Sequence, residues 1–142
     1  MSKQRFYIDT NVWIEAVQGD GPSANKALEL IDSVDIQPVI SDYILLETLP
    51  KPQFHRRDEQ VEIFRQLFSG AEKLTFDQPG ILMELAIRLA GLYDLSPMDA
   101  LHSGCALLGG VEEFITLEKP GKPFFRVPEL RARSIYQGTA TP

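Results

Sequence analysis

Residues 5–16 read RFYIDTNVWIEA, and the hydrophobic period changes within this stretch. Residues 4–8 predict a short strand, whereas the apolar positions over 12–17, followed by Gly19, predict a helix. Asp9 therefore lies at a strand-to-helix junction. Two interpretations of its carboxylate stay open at this point. It caps the helix by accepting a main-chain N–H, or it is the first of several carboxylates that hold a metal ion.

The same order of strand and helix recurs along the chain. Further strands are predicted at 36–40, 73–76, 113–117 and 124–127. Helices are predicted at 22–34, 41–49, 61–70, 79–93 and 96–109, with a loop of sequence KPQFHRRDE at 51–59. Such alternation implies right-handed βαβ crossovers. We therefore expect an α/β fold, a three-layer α/β/α sandwich around a mainly parallel sheet of about five strands.

The length of 142 residues suits one domain with a hydrophobic core and is too short to expect two. We expect a single domain over 3–135 and a flexible C-terminal tail over 136–142. Hydrophobic residues at 44% and charged residues at 24% are ordinary for a globular protein, which excludes extensive disorder. Cys105 is the only cysteine, so an intrachain disulfide is excluded. No window has the ~20 apolar residues that span a bilayer, and a reducing cytoplasm is the expected location.

The acidic residues show a pattern that depends on this fold. In an open parallel sheet, ligands bind at the carboxyl ends of the strands. Asp9, Glu47, Asp99 and Glu118 all follow predicted strands or lie in the helices after them, so we expect them to converge at one edge. Carboxylates gathered in this way repel one another unless cations neutralise them. Oxygen ligands of this kind suit Mg²⁺ or Mn²⁺.

Each acid also has a purely structural interpretation. Glu47 interrupts the apolar run YILLETL, where a carboxylate is costly unless an arginine, a lysine or a metal pairs with it. Asp99 stands three residues after Ser96, a capping-box position. Glu118 fits a solvated turn. Thr116 lies two residues before Glu118, on the same side of the strand, where its hydroxyl can orient a carboxylate or a water.

The chain resembles the PIN domain, a small metal-dependent nuclease fold that includes toxin ribonucleases of bacterial toxin–antitoxin pairs. The resemblance rests on YIDTNVWIEA, SDYILLE, LSPMDALHSGCALLGGVEEFIT and the following Leu117-Glu118. It implies hydrolysis of RNA phosphodiester bonds with Mg²⁺ or Mn²⁺ as cofactor. The family more often has Asp where this chain has Glu118, followed here by Lys119 and Lys122 as alternative partners for the acids. By this resemblance, the chain's acidic tetrad is Asp9, Glu47, Asp99 and Glu118, with Asn11 and Thr116 as supporting polar residues.

Other polar and aromatic residues are candidates for contacts around this site. Three aromatics, Trp13, Tyr43 and Phe54, either stack on bases or pack in the core. His102, one turn after Asp99, either donates a hydrogen bond to the site or is structural. The densest basic cluster either contacts RNA phosphates or is a solvated loop; it comprises Lys51, His55, Arg56 and Arg57. The net charge of −6 disfavours binding of nucleic acid through a general basic surface, but not an acidic site that cations neutralise.

Three functions compete on these observations. The first is a metal-dependent ribonuclease, and the second is a PIN-fold module that binds RNA or protein without cleavage. The third, an α/β phosphatase with Asp9 as nucleophile, is disfavoured because Asn11 stands where such enzymes need a second acid. The family resemblance further implies a cognate antitoxin as partner. It also implies a homodimer, for which the apolar helix over 81–92 is the candidate contact.

Overall fold

The computed structural model describes residues 2–136. The expected tail therefore lies almost wholly outside the described residues. The sheet has five strands, and every pair of neighbours is parallel. This is the predicted three-layer α/β/α sandwich. The strands are β1 (Gln4–Ile8), β2 (Ile36–Ile40), β3 (Glu72–Lys73), β4 (Glu113–Thr116) and β5 (Ala132–Ser134).

Helices connect the parallel strands. Their caps follow ordinary chemistry: Ser41 and Ser96 accept main-chain N–H groups at helix starts, and Pro22, Pro79 and Pro97 lie at first-turn positions. The helices are α1 (Thr10–Gln18), α2 (Pro22–Ile31), α3 (Asp42–Thr48), α4 (Pro50–Phe54), α5 (Asp58–Ser69), α6 (Pro79–Tyr93) and α7 (Pro97–Gly109). A short 3-10 helix follows at Pro123–Arg126.

The strand order β3-β2-β1-β4-β5 places β1 at the centre of the sheet. The chain moves outward on one side through β2 and β3, then returns to the other side of β1 with β4 and β5. The order of strands therefore reverses between β1 and β4, and a crevice at the carboxyl ends is expected at such a reversal. Ile8 pairs with Ile115 there, and the Asp9 N–H donates to the Ile115 carbonyl at 2.8 Å.

Aromatic side chains fill the core on both sides of the central strands. The Tyr7 ring stacks on Phe114, with centroids 5.6 Å apart, and Phe114 contacts Phe124 at 5.4 Å. Trp13 is fully buried, packs edge-on against Phe68 at 5.0 Å and donates its indole N–H to the Ile8 carbonyl. Trp13 is therefore a core residue, and the interpretation that it stacks on bases is wrong.

The predicted strand at 124–127 is wrong. Pro123 has no N–H to donate to a strand ladder, and the segment forms the short 3-10 helix that buries Phe124. The fifth strand lies later, at Ala132–Ser134, and pairs with β4. It is a three-residue edge strand with the charged Arg133 at its centre. Such a segment carries no hydrophobic alternation that could reveal it.

Three other boundaries differ from the prediction. The third strand covers only Glu72–Lys73, although the Leu74 N–H still donates to the Ile40 carbonyl at 2.8 Å. The segment 51–59, predicted as a loop, is largely helical because Pro50 begins α4. Helix α2 ends at Ile31, so Val34 lies beyond it with 80% of its surface exposed.

The cap of α7 yields a stability prediction, since this helix carries Asp99 in its first turn. The Ser96 hydroxyl accepts the Asp99 main-chain N–H at 3.3 Å. We expect Ser96→Ala to lower the free energy of unfolding by about 1 kcal/mol, the usual value of an N-cap. Ser96→Thr, which keeps the hydroxyl, is expected to retain most of it. Urea denaturation measures both, and an unchanged midpoint for Ser96→Ala would contradict the capping role.

Candidate functional site

Asp9 follows the central strand and caps α1. Its Oδ1 accepts the Thr10 N–H at 2.8 Å, and its Oδ2 accepts the Thr116 hydroxyl at 2.9 Å. Only 7% of the residue is exposed. The capping interpretation is thus confirmed, and the same junction directs the carboxylate to the crevice between β1 and β4. Capping and ligand binding do not exclude each other.

The Asp9 carboxylate carries a charge that its surroundings disfavour. The pKa of Asp9 is raised from 3.8 to about 6; burial is the main cause, and the charge of Asp99 acts in the same direction. His102 and the hydrogen bonds from Thr116 and Thr10 oppose this shift. Within residues 2–136, no lysine or arginine forms an ion pair with Asp9. The ionised side chain therefore lacks a full counter-charge.

Glu47 projects from α3 toward the same crevice, with 31% of its side chain exposed. Its Oε1 accepts the Thr10 hydroxyl at 2.6 Å and lies 2.5 Å from His102 Nε2. The hydrogen bond with His102 is the main cause that lowers the pKa of Glu47, with a smaller contribution from Thr10. The arginine or lysine partner of the purely structural interpretation is thus absent among residues 2–136, and a histidine and a threonine hydrogen-bond Glu47 instead.

His102 belongs to a buried hydrogen-bond network that reaches from Glu47 into the core. The Tyr7 hydroxyl lies 2.7 Å from His102 Nδ1 and 2.7 Å from Ser41 Oγ. Tyr7, Ser41 and His102 are each at most 2% exposed. Of the two interpretations of His102, the structure therefore favours a hydrogen bond to the site.

Sequence reasoning missed three members of this network, namely Thr10, Tyr7 and Ser41. One signal was available for Tyr7. It precedes Asp9 by two residues and so shares its face of the strand, and a buried tyrosine hydroxyl requires a hydrogen-bond partner. Thr10 and Ser41 carry no comparable signal, because small hydroxyl residues at helix starts are usual caps.

The end of β4 forms the opposite wall of the crevice. The Thr116 hydroxyl, fully buried, donates to Asp9 and accepts the Glu118 N–H at 3.0 Å. Asn11 Nδ2 lies 3.4 Å from the same hydroxyl, and Asn11 Oδ1 accepts the Leu117 N–H at 3.1 Å. The Glu118 carbonyl accepts the Ser134 hydroxyl at 2.5 Å. Thr116 thus connects β4 to Asp9 at the end of β1, Asn11 connects α1 to the end of β4, and Glu118 is joined to this wall through its main chain.

The number of acidic side chains that lie close together limits how a divalent cation could bind at the crevice. Within residues 2–136, no three side chains of His, Cys, Asp or Glu lie close enough together to hold a metal by themselves. Asp9 and the partly buried Asp99 are near enough for the charge of one to affect the other. Mg²⁺ commonly binds one or two carboxylates and keeps several waters. Asp9 and Asp99 are the two carboxylates that would be available to such a hydrated cation, whereas a cage made wholly of protein side chains does not form among residues 2–136.

The predicted basic cluster lies on α4 and the turn before α5, shortly after Glu47 in the chain. All four of its residues, Lys51, His55, Arg56 and Arg57, are exposed. Three of them contribute to a groove of about 400 Å³, whose lining is Gln18, Lys51, Pro52, His55, Arg57 and Gln60. Phe54, which directly precedes His55 of this groove in the sequence, is 81% exposed, whereas Tyr43 is partly buried and Trp13 is fully buried; Phe54 is therefore the most accessible of the three candidate aromatics.

Lys119 and Lys122 follow Glu118 and are the alternative partners that the sequence offers to the acids. Lys119 Nζ lies 5.4 Å from the centroid of the Tyr136 ring, a cation–π contact. None of the four ion pairs found within residues 2–136 includes Lys119 or Lys122. The acids at the crevice are therefore not neutralised by these two lysines.

The chain has a parallel α/β sheet with Asp9 and Glu118 after its two central neighbouring strands. The family model of the PIN domain matches residues 6–121. The chain belongs to the PIN domain family. No match was found among curated protein sequences.

Solved structures agree with this fold. The chain is similar to a chain in the crystal structure of VapBC2 from Rickettsia felis bound to a promoter DNA fragment. The TM-score is 0.70 at 20% identity, covering 92% of this chain and 98% of that one. It is also similar to a chain in a toxin–antitoxin complex from Klebsiella pneumoniae, with TM-score 0.67, 22% identity and coverages of 87% and 93%. DNA-bound VapBC from Salmonella typhimurium gives TM-score 0.67, 20% identity and coverages of 94% and 98%.

The described part of the chain contains no helix long and apolar enough to cross a membrane.

The raised pKa of Asp9 predicts a pH-dependent effect of Asp9→Asn in the metal-free protein. The unfolded carboxyl titrates near 3.8 and the folded one near 6, so the folded state binds the proton more tightly. The tighter binding of this proton stabilises the folded state fully below pH 3.8, and the stabilisation is lost as pH rises through about 6. The difference between these two pKa values corresponds to about 3 kcal/mol, which is an upper limit for the stability gained by removing the charge.

We therefore expect Asp9→Asn to be more stable than the wild type at pH 7.5 in EDTA, and expect the difference to vanish near pH 3.5. Urea denaturation of both proteins at the two pH values measures this. The comparison at each pH cancels the titration of the other carboxyls. An Asn variant that is less stable at pH 7.5 would show that the buried charge is not costly.

Proposed function

We propose that the protein is a metal-dependent endoribonuclease that hydrolyses RNA phosphodiester bonds. The observation that carries the proposal is the buried Asp9 carboxylate, which feels the charge of Asp99 and forms no ion pair with a lysine or arginine among residues 2–136. A divalent cation supplies that charge and is attracted to phosphate. The expected compartment is the cytoplasm, where RNA is available.

In this proposal, Asp9 and Asp99 hold Mg²⁺ or Mn²⁺, and Glu47 and Glu118 complete the acidic site around its waters. When bound, the cation acidifies a water for attack on phosphorus and stabilises the leaving oxygen. Thr116 and the Thr10 N–H hold the two Asp9 oxygens in fixed directions. Asn11 keeps the end of β4 against α1, so that Glu118 enters the crevice wall.

The groove beside α4 is proposed to hold the RNA strand next to the cleaved bond. It provides exposed cations on a protein whose net charge is −6, which limits favourable contact with phosphate to a few places. Phe54 offers an exposed ring on which a base can stack. Helix α4, which contributes Lys51 to the groove, follows α3 and its Glu47 directly in the sequence.

A cognate antitoxin and a homodimer are proposed as protein partners. One similar solved structure is a toxin–antitoxin complex from Klebsiella pneumoniae, and two contain DNA-bound VapBC from Rickettsia felis and Salmonella typhimurium; by analogy this chain is the toxin of such a pair. Helix α6 supports a dimer contact because Ile81, Met83, Ile87 and Leu92 are 48% to 65% exposed. Exposed apolar side chains on one helix suit a protein interface.

Cleavage of single-stranded RNA tests the nuclease directly. We expect a fluorescent RNA to be cut in Mg²⁺ or Mn²⁺ and not in EDTA. Asp9→Asn and Asp99→Asn are each expected to lower the rate at least roughly 100-fold, the size typical of losing a group that stabilises transition-state charge. The matched control is Asp35→Asn. Asp35 is exposed and precedes β2 at the opposite end of the sheet, so this change should leave the rate unaltered.

Cleavage that survives both site variants would overturn the proposal. The alternative is a PIN-fold module that binds RNA or protein without cutting. It is favoured by the Glu at position 118 and by the absence of three convergent donors within residues 2–136. RNA binding without metal-dependent turnover of the wild type would establish that alternative.

The groove predicts a specific salt dependence of RNA binding. In EDTA, where cleavage is excluded, Lys51→Ala and Arg57→Ala should each weaken binding of single-stranded RNA. Each should also reduce the slope of log K against log salt by about 0.7, the value for one lost phosphate contact on a single strand. Lys26→Ala, at an exposed position on α2, is the matched control. Fluorescence anisotropy at several salt concentrations gives the slopes, and equal slopes for all variants would remove the groove from the binding surface.

A further inference from the structure

We propose that His102 is a positioning residue: together with Tyr7 and Ser41 it holds the Glu47 carboxylate in place for cation binding. This inference rests on the proposed function, since it assigns a role toward the same cation. It is carried by a continuous chain of hydrogen bonds from the core to Glu47. We call Ser41, Tyr7 and His102 the relay.

The directions of the hydrogen bonds in the relay follow from the chemistry of its groups. An ionised carboxylate only accepts, so His102 Nε2, 2.5 Å from Glu47 Oε1, carries the hydrogen. We propose that the imidazole is neutral in the relay, so that its other nitrogen, Nδ1, accepts. The Tyr7 hydroxyl, 2.7 Å away, is its donor. The Tyr7 oxygen in turn accepts from the Ser41 hydroxyl at 2.7 Å. Every donor of the relay thus points toward Glu47.

The chain of hydrogen bonds that leads through the relay to Glu47 begins and ends at helix α3. Ser41 is the N-cap of α3, where its oxygen also accepts the Tyr43 N–H at 3.3 Å. Glu47 lies on that helix six residues later. Between them the bonds pass through Tyr7 on the central strand β1 and His102 on α7. The relay therefore fixes α3 against two other elements, and the position of Glu47 depends on all three.

The hydrogen bonds occupy one oxygen of Glu47. Its Oε1 accepts from both the His102 ring and the Thr10 hydroxyl, whereas Oε2 takes part in neither bond. Thr10 also donates its N–H to Asp9, so a single residue sets the spacing between the two carboxylates. A free glutamate side chain loses rotamer entropy when it is fixed in one orientation. Here that cost is met on folding and not on cation binding.

A purely structural role makes a different prediction. A buried tyrosine and a buried histidine both need hydrogen-bond partners, and the relay satisfies them. If that were its whole purpose, loss of His102 would destabilise the fold but would not act through Glu47. The positioning role requires that the effect of His102 on cation affinity disappear once Glu47 no longer carries a charge. A double-mutant cycle separates these cases.

The experiment measures Mn²⁺ affinity by calorimetry for His102→Ala, Glu47→Gln and the double variant. We expect His102→Ala to weaken Mn²⁺ binding about 10- to 100-fold, as when an oriented ligand loses its supporting partner. In the Glu47→Gln background, the same change should cause no further loss. His102→Gln, which retains an N–H donor, should recover part of the affinity. Tyr7→Phe keeps the ring in the core and should give a smaller loss that also vanishes with Glu47→Gln.

Two outcomes would overturn the positioning role. One is equal loss of affinity from His102→Ala in both backgrounds, and the other is unchanged affinity in the wild-type background. Tyr7→Phe, with its near-identical shape, gives the same decision if His102→Ala fails to fold. Absence of Mn²⁺ binding to the wild type is a separate result, which overturns the cation site of the proposed function and the role of the relay with it.

An NMR measurement on the metal-free protein provides a readout independent of cation and activity. Long-range ¹⁵N correlations of the His102 ring should show the hydrogen on Nε2 and an accepting Nδ1. In Tyr7→Phe the Nδ1 resonance should shift, because its donor is lost, while Nε2 stays protonated. A hydrogen on Nδ1 alone in the wild type would reverse the direction of the relay and overturn the proposal.

Discussion

The constraint on which the site depends is the burial of the Asp9 carboxylate at the end of the central strand. A charge in that place is unfavourable, as the rise of its pKa to about 6 indicates. The fold provides it with one main-chain donor and one hydroxyl donor, from Thr10 and Thr116, but with no cationic side chain within residues 2–136. The Asp9 carboxylate is thereby left without a lysine or arginine counter-charge from the described residues, which is the basis of the proposed cation site.

Much of the remaining polar architecture serves the two residues that hold Asp9. Thr10 binds Asp9 through its N–H and Glu47 through its hydroxyl. Thr116 binds Asp9 and the Glu118 main chain through one hydroxyl. Each threonine therefore joins the first acid to another acid from a distant part of the chain. A neutral, short side chain suits this task, because it adds hydrogen bonds without adding a counter-charge that would displace a cation.

Hydrophobic runs with clear ends predicted their helices and strands reliably, whereas the elements near the edge strand β5 were not predicted. Strands β1 and β2 and helices α6 and α7 were predicted with their exact bounds or nearly so, because apolar runs end there at prolines, glycines or capping residues. The strand predicted at 124–127 was wrong because burial of Phe124 does not require a strand. Edge strand β5 was missed because its central residue is charged and only one neighbour pairs with it. Local patterns therefore identify elements that are buried on two faces better than those at an edge.

The sequence by itself determined the alternation of strand and helix, the parallel sheet that follows from it, and the placement of acids after strands. These are local properties, set by hydrophobic period and by the conformational limits of proline and glycine. Only the tertiary structure decided that Glu47 is linked to the core through Thr10, Tyr7, Ser41 and His102. It also decided that the charge of Asp99 acts on Asp9. The reason is physical: hydrogen bonds between residues 34 to 107 positions apart depend on distances and directions that exist only once the sheet has formed.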